Sequence, residues 1–79
     1  MQLTVQYFAL LREQAGRSTE NLESSAANPA DLYAELRARY NFSLQPEQLK
    51  VAVNSEFSDW THRLAAGDTV VFIPPVAGG

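Results

Sequence analysis

Residues 28–41, NPADLYAELRARYN, carry the clearest structural pattern in the chain. Asn28 can cap a helix, Pro29 suits the first helical position because an N–H is not needed there, and Asp31 favours the positive end of the helix dipole. Apolar side chains recur on one stripe of this segment, namely Leu32, Tyr33, Leu36 and Tyr40. The segment therefore predicts one main helix over residues 29–40, packed against a sheet.

Strand patterns lie on both sides of this helix. Residues 2–8 alternate, with Leu3, Val5 and Tyr7 on one side, which is the period of a half-buried strand. Three further strands are predicted, at residues 18–24, 49–54 and 69–73. One helix crossing between early and late strands predicts an α+β fold, a mixed sheet with one main helix packed across it.

A short helix and a turn are predicted between these elements. Residues 9–15 are good helix formers, and Gly16 stands where a C-terminal glycine would end a helix of two turns. Residues 64–68 predict a turn into the final strand. Phe57 and Trp60 fall in a less regular passage, where filling the core is favoured over a surface contact.

The composition predicts one domain and excludes several classes of function. The chain has 79 residues, 46% hydrophobic, which is enough for a modest packed core. It has no cysteine, so it has no disulfide, thiolate nucleophile or cysteine-ligated metal. A net charge of −3 argues against nucleic acid as a partner. No segment resembles a membrane span or a secretion signal, so we expect no membrane partner and a cytoplasmic location.

The side chains offer no evident catalytic or metal site. The single histidine, His62, has no second histidine or paired carboxylate at ligand spacing, and we interpret it as structural or solvated. The glycines form no phosphate-binding loop. Glu20 and Glu23 are interpreted as solvated residues of an edge strand. We therefore expect a scaffold that binds no metal and no cofactor of its own.

The C-terminal residues carry the most unusual pattern. The diproline at 74–75 should end sheet pairing, because proline has no backbone N–H. The Gly-Gly pair at 78–79 can enter a channel too narrow for other residues. We therefore expect residues 1–75 to form the folded domain and residues 76–79 a flexible tail with a reach of about 14 Å.

Four segments together resemble a known family. They are residues 5–13 (VQYFALLRE), 52–54 (AVN), 64–68 (LAAGD) and above all 71–79 (VFIPPVAGG). These segments are similar to the sulfur-carrier small subunits of molybdopterin synthase, the MoaD-type proteins of the MoaD/ThiS ubiquitin-like family. The resemblance covers essentially the whole chain and implies a ubiquitin-like β-grasp fold.

The resemblance also implies a role in molybdenum cofactor biosynthesis. The chain would be the non-catalytic sulfur donor of a sulfurtransferase complex, a heterotetramer with the large catalytic subunit of molybdopterin synthase. An ATP-dependent activating enzyme would adenylylate Gly79 and convert it to a thiocarboxylate, so ATP would be used by that enzyme and not bound by this chain. Val76, Ala77 and Gly78 would thread the sulfur into the active site of the large subunit.

An apolar surface beside the tail is expected to contact the partner. Its candidate residues are Phe8, Leu64, Phe72, Pro74 and Pro75. Parallel pairing of the first and last strands would bring Phe8 and Phe72 together. The alternative for Phe72 is a place in the core.

Other functions remain open at this point. A carrier of the same fold that serves thiamine synthesis, cysteine synthesis or thiolation would also end in Gly-Gly and share the activation chemistry. A ubiquitin-like protein modifier would form isopeptide bonds instead. The diproline and residues 8–13 favour the molybdopterin carrier.

Overall fold

The computed structural model describes residues 1–75, which form a five-stranded mixed sheet with one long helix packed across it. In chain order the elements are β1 (Gln2–Tyr7), α1 (Ala9–Ala15), β2 (Thr19–Glu23), α2 (Pro29–Tyr40), a 3-10 turn (Pro46–Gln48), β3 (Lys50–Val53), β4 (Glu56–Ser58) and β5 (Thr69–Ile73). The strand order is β2-β1-β5-β3-β4, with β1 and β5 parallel and the other neighbours antiparallel. The predicted α+β class is confirmed. The predicted tail, residues 76–79, lies outside the described residues.

Helix α2 begins and ends where its sequence predicts. The side chain of Asn28 accepts a hydrogen bond from the Asp31 N–H at 2.8 Å. At the other end Asn41 adopts a left-handed conformation, with φ 60°, and its N–H donates to the Arg37 carbonyl. These two caps pair backbone groups that a helix end leaves without an intrahelical partner. The capping residues therefore fix both ends of the helix.

The core lies between α2 and one face of the sheet. The helix buries Leu32, Tyr33 and Leu36, and the sheet buries alternate residues of its central strands, Leu3, Val5, Tyr7, Val70 and Phe72. Tyr33 is central to this packing, since its ring lies 5.1 Å from Phe72 and 5.7 Å from Phe42, centroid to centroid. Trp60 is half-buried and stacks on Phe72 at 5.9 Å, so its predicted place against the core is confirmed.

The main difference from the sequence prediction is strand β4. Asn54 and Ser55, both with positive φ, make a tight turn that carries the chain from β3 into β4. Phe57 then pairs with Ala52 on β3, with its side chain on the face away from α2. It is 75% exposed, so the prediction that Phe57 fills the core is wrong.

Glu20 also differs from its prediction, because it is buried. Its carboxylate accepts hydrogen bonds from the hydroxyls of Tyr7 at 2.8 Å and Tyr40 at 2.7 Å. Arg39 donates to it at 3.2 Å, and the guanidinium of Arg17 lies 3.6 Å away. Burial opposes ionisation, but the hydroxyls and guanidiniums outweigh it and hold the pKa of Glu20 below its usual value. Glu20 thus ties edge strand β2 to β1 and α2.

This network predicts a pH-dependent stability. A carboxyl whose pKa is lowered by folding stabilises the protein above its unfolded pKa of about 4.3, and that stability is lost as the pH falls through the lower folded pKa. We expect Glu20→Gln to lower the free energy of unfolding at pH 7 by about 1–3 kcal/mol. The difference from wild type should shrink in urea titrations at acidic pH.

Glu13, an exposed residue of α1, provides the control. Glu13→Gln should keep the wild-type stability and its pH dependence. If the difference in free energy of unfolding between Glu20→Gln and wild type is the same at every pH, the ionised network is not a source of stability.

Candidate partner-binding surface

The structure separates the predicted interface residues into two groups. Phe8 is 46% exposed just beyond the end of β1, and Pro75 is exposed beyond β5. Phe72 and Leu64 are buried in the core, so the prediction that their side chains lie at a partner surface is wrong. The reason for Phe72 is its register, since it pairs with Tyr7 and shares the face of the sheet that α2 covers. Leu64 lies in a loop, and its own backbone N–H donates to the Ala27 carbonyl at 2.9 Å. The Leu64 side chain packs into the core beneath that loop.

Apolar side chains form a continuous surface on the opposite face of the sheet. Ala52 lies at its centre, paired with Val71 of β5 on one side and with Phe57 of β4 on the other. Ile73 follows Val71 by two residues and therefore shares its face, as does Phe8 by the alternation of β1. We call these five residues, Phe8, Ala52, Phe57, Val71 and Ile73, the outer patch.

Two features of the outer patch are typical of a binding surface. Its aromatic rings are open, Val71 and Ile73 are half-buried, and Ala52 at the centre is buried between its neighbours. The ammonium of Lys50 lies 6.0 Å from the centroid of the Phe57 ring, a cation–π distance, and places a positive charge at the edge of the apolar area. Exposed aromatics with a polar rim are characteristic of protein–protein interfaces.

The chain leaves the sheet at this same surface. Pro74 follows Ile73 directly, and because proline has no N–H it cannot extend the pairing of β5. The two prolines line a shallow groove together with Glu47, Gln48, Leu49, Lys50 and Ile73. The predicted sulfur-carrying and threading residues, Val76, Ala77, Gly78 and Gly79, lie outside the described residues. The last described residue, Pro75, is exposed beside the outer patch.

A polar clasp holds the β3–β4 hairpin that presents Phe57. The Asp68 carboxylate accepts from the Ala65 N–H at 2.8 Å and from the Asn54 amide at 2.9 Å, and these bonds hold its pKa below the usual value. The Asn54 side-chain oxygen in turn accepts from the Thr69 N–H at 2.9 Å. The hairpin turn is thereby joined to the turn that precedes β5, so β4 and β5 keep a fixed relation.

Residues 1–75 present an apolar surface and contain no candidate metal site. His62 is exposed, and residues 1–75 hold no group of three His, Asp or Glu side chains placed to bind a metal ion. Neither helix within residues 1–75 is long and apolar enough to cross a membrane. The arrangement can therefore present an apolar surface and a chain exit to another protein.

The comparison with known sequences decides the family. The sequence pattern of the ThiS family matches residues 5–79, nearly the whole chain. The chain belongs to the ThiS family. A relative in Escherichia coli K12, the molybdopterin synthase sulfur carrier subunit, is 31% identical over 80 residues, which cover 98% of this chain and 99% of that protein. The predicted resemblance is confirmed.

Solved structures place this ThiS-family chain among ubiquitin-like β-grasp proteins. SAMP1 from Haloferax volcanii matches with a TM-score of 0.79 and 26% identity, over 100% of both chains. A Helicobacter pylori structure, a protein–protein complex of subunits 1 and 2 of molybdopterin-converting factor, matches with a TM-score of 0.70 and 22% identity over 100% of both chains. The predicted β-grasp fold is confirmed.

Sequence reasoning identified Phe8 and missed the other four members of the outer patch, Ala52, Phe57, Val71 and Ile73. Ile73 could have been found, because strand 69–73 is apolar on both faces and only one face can meet α2. Which face of this strand meets α2 is decided by the pairing of Phe72 with Tyr7. The sequence alone does not display that pairing. Phe57 lacked a usable signal, since its strand has only three residues.

The assignment of faces predicts opposite effects on stability for two phenylalanines. Phe72→Ala should lower the free energy of unfolding by about 3–5 kcal/mol, because it leaves a cavity against Tyr33 and Trp60. Phe57→Ala should change it by less than about 0.5 kcal/mol, because its ring is open to solvent. Urea denaturation measures both. Equal costs for the two variants would contradict the assignment.

Proposed function

We propose that this chain is the sulfur carrier subunit of molybdopterin synthase. The observation that carries the proposal is the match, across nearly the full length of both proteins, to a molybdopterin synthase sulfur carrier subunit. The structure supports it with an apolar outer patch next to the point where the chain leaves the sheet. A carrier needs such an arrangement, because the partner must hold the body while it receives the tail.

The proposed cargo site is the carboxylate of Gly79. A free carboxylate is a poor electrophile, since its charge repels a nucleophile and an oxide is a poor leaving group. In the proposed activation the carboxylate attacks the α-phosphorus of ATP, pyrophosphate leaves, and a mixed anhydride with AMP forms. Hydrosulfide then attacks the acyl carbon, AMP leaves, a proton is released, and a thiocarboxylate remains. ATP belongs to the activating enzyme in this scheme, and the reaction takes place in the cytoplasm, where ATP is supplied.

The proposed acceptor is the large subunit, which receives the tail and uses the sulfur to build the dithiolene of molybdopterin. Glycine at positions 78 and 79 leaves the reactive group unhindered during both visits. Burial of the Phe8 and Phe57 rings would supply several kcal/mol of gross hydrophobic driving force before the costs of association. Two carriers and two large subunits would form the working assembly.

A second candidate function is protein modification. SAMP1 is small archaeal modifier protein 1, and its match to this chain over the whole length of both chains favours a modifier. Carriers for thiamine synthesis, cysteine synthesis or thiolation are further alternatives with the same activation chemistry. The classes differ in product: a carrier gains one sulfur in place of oxygen, whereas a modifier becomes joined to other proteins.

Mass spectrometry of the activated chain tests the cargo site. After incubation with the activating enzyme, ATP and a sulfur donor, we expect the intact mass to rise by the difference between sulfur and oxygen, with the change located on Gly79. Gly79→Ala should fold as wild type, because a terminal residue makes few native contacts, and should transfer sulfur more slowly. Sulfur transfer by Gly79→Ala at the wild-type rate would contradict the proposal, and adducts with other proteins would favour the modifier.

Charge placed in the outer patch tests the docking surface. We expect Phe57→Asp to weaken binding to the large subunit at least tenfold in calorimetry, because an ionised carboxylate would have to lose its water in an apolar contact. Ala34→Asp is the matched control, since Ala34 is exposed on α2 at the other side of the sheet. Equal affinities for the two variants would remove the outer patch from the interface.

A further inference from the structure

The backbone at Ala9 has an unusual conformation beside the outer patch. Its φ is 50°, in the left-handed region, where the Cβ of an L-residue crowds the following carbonyl oxygen. The other non-glycine residues with positive φ in residues 1–75 are Asn41, Asn54 and Ser55. Asparagine tolerates this region, and Asn54 and Ser55 form a hairpin turn that calls for it. Ala9 has no such polar side chain, so its conformation is held by the surroundings.

The surroundings of Ala9 are a turn fixed at both ends in the core. Tyr7 precedes the turn and Leu11 follows it, and both side chains are buried. The Leu11 N–H donates to the Phe8 carbonyl at 3.1 Å, which closes the turn over Ala9. Phe8 keeps an extended backbone, with φ −128° and ψ 153°. The extended conformation of β1 therefore continues up to Ala9, where the chain turns.

In this geometry the exposed ring of Phe8 lies between the two buried side chains of Tyr7 and Leu11. For an L-residue other than glycine the left-handed region is a small well, so alanine at this φ confines the turn to a narrow range. Glycine would enter the same region without strain and would also occupy a much wider range. Alanine therefore costs stability here and restricts the direction of Phe8.

We propose that Ala9 is a positioning residue, whose strained left-handed backbone holds the Phe8 ring in the orientation that docks on the large subunit of molybdopterin synthase. The inference rests on the proposed function, because Phe8 needs a fixed direction only if a partner receives it. Strain of this kind persists when the surrounding structure over-determines it and is commonly found at binding sites. The strain at Ala9 lowers the stability of the free chain, and in return Phe8 is already oriented before the partner binds.

The test is Ala9→Gly, measured for both thermal stability and affinity for the cognate large subunit. Glycine relieves the strain, which stabilises the folded state, and raises the entropy of the unfolded chain, which destabilises it. The first effect should be larger, so Tm should rise by about 4 °C. Affinity should fall about threefold, because Phe8 then samples directions that do not dock. A variant that is more stable and yet binds less tightly is the expected signature of positioning.

Two further variants make the test specific. Asn41→Gly changes another left-handed residue, at the end of α2, and should leave the affinity unchanged. Phe8→Ala should weaken binding by itself, and adding Ala9→Gly to it should change the affinity less than twofold, because the two residues act as one unit.

Each outcome bears on the inference. An unchanged or lower Tm for Ala9→Gly would show that Ala9 is not strained, and an unchanged or tighter affinity would show that its strain positions nothing. An equal loss of affinity with and without Phe8 would mean that Ala9 acts by another route. If Phe8→Ala binds as wild type, the docking role of Phe8 in the proposed function fails first and the positioning role fails with it.

Discussion

The rest of the structure depends on the position of β5 between β1 and β3. A strand paired on both edges has no freedom to rotate, so each of its side chains must face either α2 or the opposite surface. The register with β1 places Phe72 beside Tyr7, under the helix, where it packs on Tyr33 and Trp60. Val71 and Ile73 are thereby assigned to the outer patch, and the chain leaves β5 at the patch itself.

The two faces of the sheet therefore have separate roles in a short chain. The face under α2 supplies the core, in which the ring of Phe72 lies 5.1 Å from that of Tyr33 and 5.9 Å from that of Trp60. The other face keeps apolar side chains that no element of residues 1–75 covers. Polar contacts at the periphery, the Glu20 network and the Asp68 clasp, tie the edge strands β2 and β4 to this arrangement. Stability is thus supplied by one face, and the other remains open for a partner.

The sequence predicts those parts of the fold that local chemistry determines. Helix α2 could be bounded to the residue, since Asn28, Pro29 and Asn41 act within a single turn of it. The inner face of β1 followed from alternation alone. Glu20 was misjudged because the hydroxyls that hold it belong to Tyr7 and Tyr40, which are 13 and 20 residues away in the chain.

Most of the candidate surface could not be predicted from the sequence. Phe8 was identified as a candidate contact residue beside the tail. Phe72 was assigned to the partner surface although its register places it in the core, because adjacent apolar residues of a strand can be told apart only by their pairing partner. Phe57 was lost because a three-residue strand after a turn of two non-glycine residues has no distinct pattern. Long-range contacts, which a single sequence does not display, account for the errors at Glu20 and Phe72.

The central claim is that the body presents sulfur on its own C-terminus to a partner that performs the chemistry. The most direct measurement is single-turnover synthesis of molybdopterin by the cognate large subunit and the pterin precursor, with the sulfurated chain as the only source of sulfur. Each dithiolene contains two sulfur atoms and each chain carries one, so the account predicts that two sulfurated chains are converted back to carboxylate per molecule of product. Absence of product, or equal product from the unsulfurated chain, would contradict it.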